Sequence, residues 1–561
     1  MCTSSIRPWA IDGLSEPGRT PVNPWSRIAG RVAGRFAGSY ARPTQVRAAS
    51  GDDTPHPGPA DAADPRAADP AVTTASYREP WRPQFHFTPE RNWMNDPNGL
   101  VFFEGEYHLF YQHNPSRNEW GDIGWGHAVS DDLVRWRHLP VALAEEAGRM
   151  AFSGCVVVDT ENASLFAEAG RTALVAAYTA HRVEPQLQTQ CLAFSLDRGR
   201  TWSRYAGNPV LDIGEKDFRD PKVFWHESTR RWVMVVSWPE RRKVRMYGSP
   251  NLRDWTHLSD FGPAGSTVGI WECPDLFPLP VEGVEGGQRW VLVVSVALGA
   301  PAGGSGCQYF LGEFDGVRFV EDAPGRAPLW ADHGRDFYAA ASWSGISGSD
   351  GRRLWLGWMS NWDYAREVPT APWRGSMTVP RELTLRPTSD GLRLFQEPAR
   401  ELRSLRTDCH SVGHVTGAAA AEWLATLEWA GGLASLGLEF VPGDAKRFGV
   451  RVLHVELDET AITCDLAAGE IALDRTRSGV TGFAPGFPGE HRGPLGLRNG
   501  RIRLQVLCDA SSVEVFANDG EIVLTDLVFP HERRLRFEVF GDSPDLGLAS
   551  VEVWSVESVW R

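Results

Sequence analysis

Three acids stand in similar local contexts: Asn95-Asp96-Pro97, Arg219-Asp220-Pro221 and Glu272-Cys273-Pro274. A lone Asp-Pro is turn chemistry, and the Asn98-Gly99 pair after the first acid reinforces that reading. Recurrence changes it. Each acid opens a strand-like run and has a large apolar neighbour within three residues: Trp93, Phe218 or Trp271. Such surroundings strip water from a carboxyl group and raise its pKa, which is how a catalytic acid stays protonated near neutrality. Two carboxyls among aromatic rings that can stack on sugars meet the needs of glycoside hydrolysis, one nucleophile or base and one general acid. A third carboxyl can bind hydroxyls that flank the reacting carbon. Glu272, with the longer arm, is the expected general acid. The carboxyl separation is not legible in the sequence, so retention and inversion both stay open.

Residues 96, 220 and 272 converge only in a repeating fold, and repeats are present. Five strand-like runs stand at 105–114, 171–180, 230–238, 288–296 and 352–362. They recur roughly every 60 residues, the scale of one propeller blade with long loops. Each is preceded by a candidate first strand, at 96–103, 153–158, 220–226, 273–279 and 337–345. Ser–turn–Trp units at 130–136, 195–202 and 249–255 read as hairpins late in blades one to three. The expectation is an all-β chain with a five-bladed β-propeller over 81–385. First strands line its central channel, and the acids meet at one mouth. A linker over 386–405, with a short helix near 397–405, leads to a β-sandwich over 406–561. There "FANDGEIVL" reads as a hairpin.

Residues 1–80 are low-complexity, with a repeated Ala-Ala-Asp-Pro, and are expected to be a disordered tail. An organelle-type leader is the weaker reading of its acid-free stretch over 17–48. No signal-peptide core is legible, so a cytoplasmic location is expected ahead of secretion. The net charge of −14 argues against nucleic-acid or anionic-membrane partners. No run of 18 apolar residues occurs, so no membrane span is expected. The 8 Cys are dispersed without zinc spacing; no metal and no cofactor is expected. The 24 Trp suit both a β core and sugar stacking, with core packing expected for most. Oligomeric state stays open.

The motifs "WMNDPNG" (93–99), "FSG" (152–154), "RDP" (219–221), "WECPDLF" (271–277) and "DASSVEVFANDG" (509–520) are specific as a set. With them the chain, from about residue 81 onward, resembles glycoside hydrolase family 32, the β-fructofuranosidases: invertases, inulinases and levanases. The resemblance implies a propeller followed by a sandwich and a retaining mechanism. Asp96 would be the nucleophile, Glu272 the acid/base, and Asp220 a transition-state stabiliser. It places Asn95, Gln112, Trp120, Phe152, Ser153 and Arg219 around a fructose unit, with Trp358 and Trp362 as an aromatic wall. Cys155 departs from the family's usual Ser and is expected to adjoin the pocket and pack there. The stretch 361–383 is closer to the levanase and exo-inulinase branch than to sucrose-specific bacterial invertases.

The leading expectation is therefore an exo-acting hydrolase that frees fructose from levan or inulin and also splits sucrose. Its partner is a fructose-containing oligo- or polysaccharide. A fructosyltransferase is the alternative within enzymes, because sugar can replace water at a fructosyl-enzyme. A non-catalytic sugar-binding propeller is the alternative from another class, disfavoured by the presence of all three acids. The sandwich is expected to play a structural role.

Overall fold

The computed structural model describes residues 76–168, 170–346, 350–454 and 458–560, so the low-complexity leader up to residue 75 lies outside the described residues. Five antiparallel sheets come first, each built outward from an innermost strand: Asn92–Phe103, Arg149–Asp159, Arg219–His226, Trp271–Pro280 and Tyr338–Ser342. Each innermost strand touches those of the two neighbouring blades, so the five close a ring. The strand Trp373–Arg374, which lies between the second and third strands of blade five in sequence, pairs in parallel with Asn92 and Trp93 of blade one and locks the closure. This parallel pairing starts the first strand earlier than its motif suggests. Asp96 is consequently its fifth residue rather than its first, whereas Asp220 and Glu272 are second in theirs.

Alternation along each strand fills the seams between blades. Val101, Phe110, Leu174 and Ala176 pack blade one on two, and Val157, Val175, Phe218 and Met234 pack two on three. Val233, Trp271 and Leu292 fill the next seam, Phe277, Val291 and Trp355 the fourth, and Met94, Leu109 and Leu354 close five onto one. The Ser–turn–Trp repeats have a common cause. Ser130, Ser195 and Ser249 donate their hydroxyls to Asp132, Asp197 and Asn251, whose side chains accept backbone N–H groups of the same turn.

Blade five extends past residue 385. Residues Arg381–Thr388 pair with Gly391–Pro398 as its outer hairpin, turned at Ser389-Asp390. The expected linker over 386–405 thus shrinks to Ala399 and a 3-10 helix, Arg400–Leu405. A six-stranded and a five-stranded sheet then pack face to face over Leu436, Val450, Ile462, Val506 and Val551. A helix missing from the sequence reading, Gly417–Leu424, forms where an Ala run follows an N-capping Thr416.

The sandwich signature is a docking element. Asn518 and Asp519 adopt φ of +49° and +60°, a hairpin turn of the primed type. Gly520 follows at φ +80°, where a Cβ would lie 1.7 Å from the Gln396 carbonyl oxygen of blade five. From the same segment Asp509 and Glu514 grip the buried His86 at 2.7 Å on each ring nitrogen, and Glu514 Oε2 also accepts from Arg381 at 2.6 Å. Burial alone would lower the His86 pKa, but the two carboxylates raise it to about 9. This contribution is complete below the unfolded value near 6.5 and is lost as pH rises through about 9. His86→Gln should therefore lower unfolding stability by about 3 kcal/mol at neutral pH. In denaturation series the gap to wild type should narrow above about pH 9.

Candidate active site

All five innermost strands carry a register shift at the same end. Pairing skips between Met94 and Pro97, Phe152 and Gly154, the pair Val235 and Ser237 opposite blade three, Glu272 and Asp275, and Tyr338 and Ala341. A bulge leaves residues unpaired and re-aims their side chains. Asn95-Asp96, Ser153, Asp220-Pro221 and Cys273 all fall at such positions. Asp220, Cys273 and Ala339 hold φ of +67°, +47° and +52°. Residues other than glycine seldom adopt this region and do so at a cost of about 1–3 kcal/mol each. The strain turns these groups into the channel mouth.

Asp96, 8 % exposed, accepts from Asn95 Nδ2 at 2.9 Å on one oxygen and from Ser153 Oγ at 2.7 Å on the other. The Trp93 indole donates to Asn95 Oδ1 at 2.7 Å and so fixes the amide's orientation. Asp220 accepts from the Cys273 backbone N–H at 2.9 Å, and the Cys273 sulfur lies 3.6 Å from an oxygen of both Asp96 and Asp220. Glu272 has one oxygen against Arg219 Nε and Nη2, at 3.0 and 2.9 Å; its other oxygen accepts from the Tyr338 hydroxyl. The same guanidinium lies 3.0 Å from Asp217 and 4.0 Å from Asp220.

Burial raises the Asp96 pKa, against the Ser153 and Asn95 bonds, and Glu272 adds to the rise. Burial likewise raises that of Asp220; Arg219 opposes this, while Glu272 and Asp96 reinforce it. Burial disfavours the Arg219 charge, but Glu272, Asp220 and Asp217 outweigh it and keep the guanidinium protonated. Beneath the acids Lys222 bridges the innermost strands of blades three, four and five. Lys222 Nζ lies 3.0 Å from Asp275 Oδ2 and donates to the Ser342 carbonyl at 2.6 Å.

Of the residues expected at a sugar site, Asn95, Ser153 and Arg219 touch the acids directly. Gln112 stands opposite the Asn95-Asp96 bulge and donates to the Ala151 carbonyl at 3.0 Å. Phe152 and Trp120 meet edge to face at 6.1 Å, and Trp362 stacks on Trp93 at 6.1 Å; Trp120, Phe152 and Trp362 keep part of their surface open. Trp358, 1 % exposed, packs behind Trp362. Cys155 does not reach the acids. It is buried in the seam between blades two and three, where its sulfur accepts from the Val223 N–H at 3.1 Å. Missed from the sequence were Tyr338, Cys273, and the support of Asp220. The Asp220 N–H donates to Thr179 Oγ1, whose hydroxyl donates to Gln190, whose amide in turn holds the Phe218 carbonyl. Tyr338 opens the fifth first strand, the counterpart of the acid positions, so the repeat held the signal. Thr179 and Gln190 had none.

Residues 86–398 match the model of the glycosyl hydrolases family 32 N-terminal domain, and residues 401–555 match that family's C-terminal model. The chain belongs to this family and is a glycosidase. It is 46% identical over 495 residues to a levanase of Bacillus subtilis, covering 87% of this chain and 72% of that protein. It is 39% identical to an extracellular exo-inulinase of Aspergillus niger, covering 87% and 96%. The solved exo-inulinase of Aspergillus awamori superposes with a TM-score of 0.79 at 36% identity, covering 86% of this chain and all of that one. A fructofuranosidase of Schwanniomyces occidentalis complexed with fructose gives 0.77 at 32%, covering 87% and 100%.

Ser153 donates to the buried Asp96 and favours its ionised form. Ser153→Ala should raise the Asp96 pKa further and move the acid limb of the pH–rate profile to higher pH, by on the order of one unit.

Proposed function

We propose that the protein is a retaining, exo-acting β-fructofuranosidase that removes terminal fructose from levan- or inulin-type fructans and also splits sucrose. The observation that carries this reading is the meeting of Asp96, Asp220 and Glu272 at one channel mouth, with Asn95, Ser153 and Arg219 bonded to them. Asp96 attacks the anomeric carbon of the fructosyl unit while Glu272 gives its proton to the leaving glycosidic oxygen. The bond to the leaving sugar breaks and a fructosyl ester on Asp96 forms. Water then attacks the same carbon, Glu272 takes the water's proton, and Asp96 leaves as carboxylate. Two inversions give net retention.

Arg219 and the Tyr338 hydroxyl hold the Glu272 carboxyl in a fixed orientation for proton transfer to the leaving oxygen. Asn95 and Ser153 favour ionised Asp96, which suits the nucleophile. Asp220, oriented by the Cys273 N–H, is placed to bind fructose hydroxyls as positive charge builds on the ring. Exo action is supported by the exo-inulinase names of relatives. The levanase, exo-inulinase and fructofuranosidase names of the relatives support the substrate class.

The test is turnover of levan, inulin and sucrose by the purified protein and by Asp96→Ala and Glu272→Ala. Free fructose should be the first product from all three, with hydrolysis reduced at least about 10⁴-fold in the Asp96 variant. Wild-type turnover in either variant contradicts the residue roles. Growth of oligofructans in concentrated sucrose points to transfer instead.

A further inference from the structure

Two residues beyond Thr179, on the same face of the second strand of blade two, stands His181. Its ring stacks flat on Phe152, with centroids 4.4 Å apart and planes 10° apart, and Phe152 meets Trp120 edge-on. The three rings form one row. The Gln188 amide oxygen accepts from the Phe218 N–H at 2.8 Å and from Arg219 Nη1 at 3.2 Å. Its amide nitrogen is therefore the group facing His181 Nδ1, at 3.2 Å, and a donor there makes Nδ1 an acceptor. The ring proton must then sit on Nε2.

Burial, aided by the Arg219 charge, lowers the His181 pKa to about 4, so the ring is neutral near neutral pH. Nε2 makes no hydrogen bond among the described residues and keeps some access to solvent in a residue that is 8 % exposed. Gln188 links the ring to Arg219, and Arg219 grips Glu272. The Glu272 side of the pocket is where a leaving sugar must emerge, because that residue protonates the departing oxygen.

We propose that His181 is a specificity-determining residue: its Nε2–H donates to a hydroxyl of the sugar on the leaving side of the scissile bond, while Phe152 and Trp120 supply the apolar floor beneath that sugar. This rests on the β-fructofuranosidase reading and adds a leaving-side contact to it. A tautomer locked by Gln188 is a preorganised donor, so the contact strengthens binding with little ordering cost. A leaving group without hydroxyls gains nothing from it.

The experiment compares 1-kestose and 6-kestose with 4-nitrophenyl β-fructofuranoside in wild type and three variants. Wild-type turnover of all three substrates tests the underlying reading by itself. His181→Phe keeps the stack and removes the donor. It should raise KM for at least one kestose about tenfold, the weight of one neutral hydrogen bond, and by clearly more than it raises KM for the aryl fructoside. His181→Asn, whose amide reaches only the Nδ1 position, should behave in the same way. His181→Gln, whose amide reaches the Nε2 position, should keep most of the wild-type KM. Equal losses on aryl and sugar substrates would show that His181 acts only through Gln188 and Arg219, and would overturn the proposal. So would unchanged KM for both kestoses in the Phe and Asn variants.

Discussion

The meeting of Asp96, Asp220 and Glu272 at one site, with the Arg219 guanidinium against Glu272 and near Asp220, is the constraint on which the rest of the structure depends. Charges this buried are unstable unless each finds a partner in fixed geometry. Arg219 meets Glu272 with two nitrogens and Asp217 with a third, Asn95 and Ser153 satisfy Asp96, and the Cys273 N–H satisfies Asp220. No two of the acids lie on the same strand. Their mutual placement is therefore only as accurate as the placement of whole blades.

The ring supplies that accuracy. Five innermost strands contact one another cyclically, the seams between them are filled with aliphatic and aromatic side chains, and a short strand from the connection inside blade five clasps blade one. A close-packed, closed ring cannot splay at one seam without opening others. It can therefore hold bulged, left-handed backbone at Asp220 and Cys273 that a freer strand would relax. The sandwich extends this bracing. Glu514 and Asp509 reach across to His86 and Arg381, and a second buried group, Arg475 with Asp336 and Tyr364, ties it to the loops around blade five.

The blade repeat, the all-β class and the three acids could be read in the sequence because they are periodic. Strand runs such as 288–296 recur as whole units, and Asp-Pro marks the bulge where a strand leaves its ladder. The end of blade five was less legible: Gly391–Pro398 is charged on its open face and resembles a linker until its partner strand is seen. Thr179, Gln190, Gln188 and His181 were invisible. They are ordinary polar residues of second and third strands, and only the closing of blade two on blade three points them at Asp220 and Arg219. Tyr338 lay between these cases, at a repeat position but without an acid to draw attention to it.

The central claim is that Asp96 carries the fructosyl group through a covalent ester. Its most direct test is to trap that ester in Glu272→Ala, where the second step has lost its base, using an aryl β-fructofuranoside whose good leaving group spares the first step its acid. Rapid acid quench, peptic digestion and mass spectrometry should find one fructosyl unit on the peptide containing Asp96. A fructosyl unit on another carboxylate, or aryl release at the full wild-type rate with no labelled peptide at any quench time, would contradict the account.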